Sequence, residues 1–367
     1  MDAPSIRDRY LKWVTVEQGY QPNLLTPGEV NRFRSPPPER GCSLTLEERA
    51  YLYVFHGYPL MLDGQTGTGK TTLVENLAVR LGLPFYREEG REKLGLMGTL
   101  VSPHIQDGNT VNYPGQLTLA AIFPGIFFLE ECANIDADKL VEFHSVLQSK
   151  AIAVPTQFGS VQLNLGDIEN FRVVAAGNFS YQRPNFSPAS LQRFAWVTMP
   201  YMTRNDFSDA LRKEVENGSG KMDAYGAELE KLEARFKELY DREVGYTTIT
   251  TVADMLAGIR EKADKEALGD QNPACYKRAI RCYSPGLTPD DFYHIVEETV
   301  VHPIAAKDLY MGRNQKVQQF KDIAREGVYA HKNLFEGQHT AVEQAVGALG
   351  NVFRFRVRRE KDKGAGA

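Results

Sequence analysis

The residues whose types and spacing most clearly imply chemistry are Gly64-Gln-Thr-Gly-Thr-Gly-Lys-Thr71, which fit G-x-x-x-x-G-K-[ST]. Glycines at 64, 67 and 69 let the backbone turn tightly enough for its N–H groups to face phosphate oxygens. Lys70 carries a point positive charge toward the β- and γ-phosphates, and the Thr71 hydroxyl is suited to ligate Mg²⁺. Gln65, Thr66, Thr68 and Thr72 complete the predicted cradle. The pattern predicts a site for a nucleoside triphosphate with Mg²⁺. Glu130 and Glu131 are the candidate acids, the first for the metal's water shell and the second for polarising an attacking water. Asn178 is a candidate amide beside the γ-phosphate that would help hold that water.

These groups need elements to hold them. Tyr58-Pro-Leu-Met-Leu-Asp63 reads as a short buried strand, and Thr72–Leu81 has helical apolar spacing at 73, 74, 77, 78 and 81. Strand, glycine loop and helix N-terminus together make an anion site. A helix is expected to open near Thr45, with Glu47 and Glu48 in its first turn. Residues 83–88 suggest a second strand. Gly125-Ile-Phe-Phe-Leu-Glu-Glu131 predicts a buried strand that ends in the two acids, facing the nucleotide across the sheet edge. Residues 137–148 read as a helix, 151–165 as a β-hairpin, and Phe171–Ala176 as the buried strand before Gly177-Asn178. Strands alternating with helices predict an α/β fold, a parallel sheet with helices on both faces. Residues 90–116, rich in Gly, Pro, Asn and Asp, read as a long functional loop.

Composition sets the outer limits. The chain has 367 residues, 42% hydrophobic and 25% charged, enough for a substantial core and ordinary for a soluble protein. A formal charge of −4 argues against a dominant electrostatic grip on nucleic acid. Cys42, Cys132, Cys275 and Cys282 show no C-x-x-C spacing; Cys275 and Cys282 are a weak metal pair beside the plainer reading of buried thiols. No signal peptide is visible and no apolar run can span a bilayer, so no membrane partner is expected and the expected location is cytoplasmic. Prolines punctuate residues 1–45, including Pro36-Pro37-Pro38, which reads as an N-terminal extension and stiff linker. Residues 46–202 are the expected nucleotide-binding core. From 203 to 367 the composition shifts to charge and helix, with helices expected at 223–240, 247–260 and 290–301.

With Gly64–Thr71, Phe127-Phe-Leu-Glu-Glu131, Asn178 and Ser187-Pro-Ala-Ser-Leu-Gln-Arg-Phe194 on the page, the chain resembles the AAA+ ATPases, in particular the MoxR-like branch. Within that branch it looks most like the ATPases serving nitric-oxide reductase, Rubisco and gas vesicles. The resemblance covers about residues 46–200. It implies a P-loop core with a smaller helical lid, ATP hydrolysis, and a ring, expected to be a homo-hexamer. It implies a chaperone-like remodeller of a protein client, often beside a partner carrying a von Willebrand A domain. By the same resemblance Asn178 is sensor 1, and Arg193 is an arginine finger reaching a neighbouring subunit, with Arg183 and Arg204 as nearby substitutes. The usual acid pair is Asp-Glu, whereas Glu130 here is one methylene longer. The lid arginine expected within Ser-Pro-Arg is replaced in Ser284-Pro-Gly286, which leaves Arg278 or Arg281 as stand-ins.

Two rival readings share the core. One is a nucleic-acid-associated or restriction-type motor, to which Arg91, Lys93 and His104 and the alternating tail Phe353-Arg-Phe-Arg-Val-Arg-Arg359 lend thin support; the tail also reads as an edge strand. The other is a nucleotide-switched assembly scaffold with little hydrolysis, suggested by Glu130 and Gly286.

Overall fold

The computed structural model describes residues 4–149, 151–166, 169–179, 188–200, 216, 218–240, 244–310, 312–335 and 354–355. Its elements begin with α1 (Ile6–Lys12), followed by α2 (Leu46–Phe55), β1 (Leu60–Asp63), α3 (Lys70–Leu81) and β2 (Phe85–Glu89). Next come α4 (Leu96–Leu100), β3 (Val101–Gln106), β4 (Asn109–Pro114), α5 (Gln116–Ile122), β5 (Ile126–Glu130) and α6 (Ala137–Glu142). The hairpin β6 (Ala151–Thr156) and β7 (Gly159–Asn164) leads to β8 (Arg172–Gly177), α7 (Pro188–Leu191) and β9 (Ala195–Thr198). The C-terminal helices are α8 (Gly226–Tyr240), α9 (Tyr246–Lys265), α10 (Pro273–Arg281), α11 (Pro289–Val296), α12 (His302–Tyr310) and α13 (Asn314–Ala330).

Five strands form one parallel sheet in the order β2-β5-β8-β1-β9. Strand side chains alternate in direction, so each strand feeds both faces. Leu60, Leu62, Phe128, Val174 and Val197 join one apolar cluster with α2, α3 and the C-terminal helices. Met61, Phe127, Leu129, Ala175 and Trp196 join the other with the hairpins and the N-terminal helix. The expected α/β fold with a parallel, two-faced sheet is present. The fifth strand, Ala195-Trp-Val-Thr198, is absent from the sequence expectations, because three apolar residues and a threonine after a turn carry no period of their own.

Two other expectations change. Residues 90–116 are not an open loop. They fold into α4 and the β3–β4 hairpin, whose turn is Asp107-Gly108 with φ of 51° and 77°, the left-handed pair a tight hairpin requires. The helix expected over 137–148 stops at Glu142 and continues as a wide π turn over Ser145–Ser149.

Residues 1–45, read from sequence as an extension and linker, include packed segments. Ser5 caps α1 through a reciprocal capping box with Asp8. Tyr10, Trp13 and Val14 are buried, and Trp13 meets Tyr113 of β4 and Phe158 of the β6–β7 turn at centroid distances of 5.4 and 6.2 Å. Further along, Arg32 pairs with Glu47 at 2.9 Å, and Glu47 also meets Arg80 of α3 at 3.2 Å. The C-terminal helices share the apolar cluster of the sheet face they cover; the expected boundary at 202–203 lies outside the described residues. Of the tail 353–359, Arg354–Phe355 pairs antiparallel with Val244–Gly245, and the rest lies outside the described residues.

One carboxylate fastens the start of α2 to α11. Asp291 is 1% exposed and accepts from the N–H groups of Ser43, Leu44 and Thr288 and from both hydroxyls, at 2.7 to 2.9 Å. Burial alone would raise its pKa; the bonds from Thr288, Leu44 and Ser43 outweigh that and hold it below the ordinary aspartate value. We expect Asp291→Ala to cost roughly 3 kcal/mol, since buried donors lose a charged acceptor. In the native protein this depressed carboxyl contributes stability that is full above the ordinary aspartate pKa and is lost as pH falls through its lower folded value. Denaturant unfolding at a series of acidic pH values checks both, and the variant should lose that share of the acid dependence.

Candidate active site

Parallel pairing brings three strand ends to one edge. Asp63 of β1 lies opposite Gly177 of β8, and Leu129 of β5 lies opposite Ala175. Counting forward, Gly64, Glu130-Glu131 and Gly177-Asn178 leave the sheet side by side, with neighbouring strands about 4.8 Å apart.

The glycine loop sits on that edge. Gly67 and Gly69 both have φ of +86°, and α3 starts at Lys70 with no side chain capping its first turn. Those N–H groups and the helix dipole face the loop's concavity, which is the chemistry of an anion cradle. Lys70 is 7% exposed, and its ammonium donates to the carbonyls of Gly64 at 2.6 Å and Gln65 at 3.0 Å. Burial pulls its pKa down against Glu131, Asp63 and Glu130, which pull it up. Phosphate oxygens are the stronger acceptors for such a cation.

Beside it, the Thr71 hydroxyl donates to one carboxylate oxygen of Glu130, and Arg87 of β2 pairs with the other. Glutamate, one methylene longer than aspartate, spans these two partners. Thr71 and Glu130 are the groups that could hold Mg²⁺, hydroxyl and carboxylate oxygens being its preferred donors. Glu131 stands in the left-handed region, φ 49° and ψ 37°. Its neighbour Gly90 donates to the Glu130 carbonyl at 2.7 Å, and a Cβ on Gly90 would lie 2.5 Å from the Glu131 carbonyl oxygen. A non-glycine residue in this region costs on the order of 1 kcal/mol, the kind of backbone strain that concentrates at functional sites. The Asn178 amide oxygen is buried and finds no donor among the described residues. An orphaned acceptor beside a phosphate loop fits an external donor such as an ordered water.

Three contributors escaped sequence reasoning. Asp63 is buried and accepts from the Phe179 N–H at 3.1 Å, fixing the backbone just after Asn178; burial raises its pKa, opposed by that bond, Lys70 and His302. Its only sequence signal is an acid at the end of an apolar strand. Arg87 is recruited by the pairing of β2 with β5, which local sequence does not reveal. Phe33, in the segment read as linker, donates its N–H to Asn76 at 2.8 Å, and its ring would lie 3.3 Å from a Cβ on Gly69.

Arg193 lies elsewhere. β9 runs parallel to β1 with Ala195 opposite Leu60, so Arg193 precedes the start of β9 at the edge opposite the loop. Four strand residues separate the edges, about 13 Å at 3.3 Å per residue. Its side chain donates to the Ala189 carbonyl. Arg183 and Arg204 lie outside the described residues. Arg278 and Arg281 do not stand in for the lid arginine at this nucleotide site. Arg278 holds the carbonyls of Gln192 and Arg193, and the Arg281 cation acts on Tyr58 before β1, both at the far edge.

Lys70→Ala should raise the ATP Kd on the order of a hundredfold, each charged contact being worth about 1.5–3 kcal/mol. Glu131→Gln should keep affinity within a few-fold and slow turnover on the order of a hundredfold or more. Equilibrium binding and steady-state hydrolysis on both variants check this; normal turnover by Glu131→Gln would remove Glu131 from the water's path.

Comparison with known proteins agrees with this geometry. Residues 59–194 match the family model described as an AAA domain of the dynein-related subfamily. The denitrification regulatory protein NirQ of Pseudomonas aeruginosa is 28% identical over 223 residues, 59% of this chain and 82% of that protein. Protein NorQ of Paracoccus denitrificans is 31% identical over 160 residues, 43% of this chain and 56% of its own length. Protein CbbQ of Hydrogenophilus thermoluteolus is 30% identical over 146 residues, 39% and 53% of the two. The chain thus spans little more than half the length of these last two relatives. A crystal structure from Cytophaga hutchinsonii, described as a candidate ATPase, shares the fold with a TM-score of 0.50 at 16% identity, covering 74% of this chain and 87% of that one. A phosphate loop set in a sheet of this order thus lies within a segment that matches an AAA domain, and the chain is similar to NirQ, NorQ and CbbQ.

Proposed function

We propose that the chain is a Mg-ATP-driven, ring-forming motor, a homo-hexamer, that remodels or activates a protein client. In this reading Lys70 and the loop from Gly64 to Thr72 bind the triphosphate, while Thr71 and Glu130 hold the Mg²⁺ shell. Glu131 polarises the attacking water and Asn178 holds it. The C-terminal helices act as the lid. The observation that carries the ring is the position of Arg193. It stands about 13 Å of strand away from its own loop, so its charge can serve a transferring phosphoryl group only on another subunit.

Two hairpins support a protein client over nucleic acid. Neither β3–β4 nor β6–β7 contains a lysine or arginine of its own, and the Arg9 guanidinium beside β6–β7 lies over the Phe158 ring at 5.0 Å, so the hairpins themselves offer a phosphate backbone little charge. The β3–β4 arm is largely exposed, and Ile105 near its tip is 85% exposed. Its apolar and neutral polar surface suits a polypeptide. A partner with a von Willebrand A domain would deliver that client, in keeping with the chain's resemblance to the MoxR-like branch.

A finger in trans makes the active site a property of the interface, so ATPase activity per subunit should rise with protein concentration until rings are complete. Arg193→Ala should bind ATP normally and hydrolyse it on the order of a thousandfold more slowly. Mixed with Lys70→Ala, it should regain turnover, because composite interfaces pair an intact loop with an intact finger. A monomer that hydrolyses ATP at a concentration-independent specific rate would sink the trans assignment and the ring with it.

A further inference from the structure

The loop that carries Arg193 is held from the C-terminal helices, and the contacts are specific. Arg278 of α10 is 7% exposed and donates from one guanidinium nitrogen to the Arg193 carbonyl at 2.9 Å and from another to the Gln192 carbonyl. Cys275, one turn earlier, donates its thiol to the same Gln192 carbonyl at 3.6 Å. The Gln192 side chain, 5% exposed, donates to the Asp270 carbonyl at 3.4 Å and accepts from Asn272 at 3.1 Å. Asn272 is itself fixed as the N-cap of α10, accepting from the Ala274 N–H at 3.0 Å. On the core side, the Arg193 N–H donates to the Ser190 carbonyl at 3.3 Å.

The physical need is plain. Gln192 and Arg193 follow the last turn of α7, where carbonyls have no helical partner and would be left unsatisfied once buried. A cation meets that need better than a neutral donor, and a planar guanidinium can hold two carbonyls in fixed relative positions. Arg278 is supplied by α10, 80 and more residues downstream, so the place of the Arg193 backbone is set by the C-terminal helices and not by α7 alone.

We propose that Arg278, with Gln192 as its partner, is a positioning residue for the finger, so that the lid of each subunit sets the reach of Arg193 into the neighbouring active site. The proposal rests on the reading of Arg193 as a finger in trans. It gives the missing arginine at Gly286 a physical counterpart: this lid acts on the nucleotide of the next subunit through Arg193 instead of on its own nucleotide through a direct contact. Turnover tolerates little slack there, since misplacing a reacting group by about 1 Å costs on the order of a hundredfold.

The test is reciprocal complementation. Arg278→Met keeps the side chain's bulk and removes both donors; it should bind ATP in its own loop within about twofold of the native chain and turn over about tenfold or more slowly. Arg278→Lys, able to hold one carbonyl, should fall between. Mixed with Lys70→Ala, whose Arg278 and finger are intact, Arg278→Met should regain turnover. Mixed with Arg193→Ala, which lacks the finger, it should not. The opposite pattern, rescue by Arg193→Ala and none by Lys70→Ala, would show that Arg278 serves its own subunit's site and overturn the proposal.

A second readout is independent of turnover. His144 shares a 2.5 Å contact with Ser190, and burial, then the nearby Arg193 cation, depress its pKa. The pH at which diethylpyrocarbonate acylates His144, followed by peptide mass spectrometry, should move upward in Arg278→Met if Arg193 has shifted away. An unchanged His144 profile beside a normal Arg193→Ala defect would overturn the positioning role alone. Normal turnover by Arg193→Ala would instead overturn the finger reading beneath it. Should Arg278→Met fail to fold, Gln192→Met, which removes the bonds to Asp270 and Asn272, should give the same complementation pattern with about a threefold defect.

Discussion

Parallel strand pairing is the constraint on which the rest depends. Because β1, β5 and β8 run the same way in register, the residues that follow them emerge at a single edge, and local chain turns decide what each presents. The glycine loop after β1 presents N–H groups and Lys70, the turn after β5 presents Glu130 and Glu131, and the end of β8 presents Asn178. Lys70 is a buried cation among three acids, its ammonium satisfied by the loop's own carbonyls. A charge so placed costs desolvation energy that backbone acceptors only partly offset. The features that suit a polyanion are the loop's N–H groups and the uncapped first turn of α3, with Lys70 able to exchange carbonyl acceptors for phosphate oxygens.

The opposite edge has a different logic. There the chain turns from α7 into β9, and burial leaves carbonyls that must be satisfied from outside the segment. Arg278 meets that requirement across the boundary with the C-terminal helices. The two edges are separated by the length of the strands, so within one chain they communicate through rigid elements. Asp63 is one such rigid link on the loop side, tying the end of β1 to the backbone after Asn178.

Buried polar contacts also determine how the peripheral segments attach. Asp291 gathers five donors from residues 43–44 and 288, and Glu47 gathers Arg32 and Arg80. Glu298 accepts from Arg49 at 3.0 Å and from the Tyr53 hydroxyl at 2.7 Å. Each network joins elements distant in sequence, and each would leave an expensive unpaired charge if the elements parted. They specify a particular arrangement of α2, α3 and the C-terminal helices on one face of the sheet, where the apolar cluster alone would specify only proximity.

How much was legible in advance follows from the range of each interaction. The octet from Gly64 to Thr71, the buried strands at 58–63, 125–131 and 171–176, and the Thr45 cap were readable because glycine φ, apolar periodicity and capping are local properties, and the α/β class followed from their alternation. The β3–β4 hairpin was hidden inside a stretch that looked like loop, though its Asp-Gly turn was in view, because its strands are largely exposed and lack a clear apolar alternation. The strand β9 was too short to carry a period. Arg87, Phe33 and the far-edge roles of Arg278 and Arg281 needed the tertiary structure outright. Which strand lies beside β5, what packs on Gly69, and which carbonyls a distant arginine meets are set by sheet order and by the packing of helices separated by scores of residues, and no local pattern encodes them.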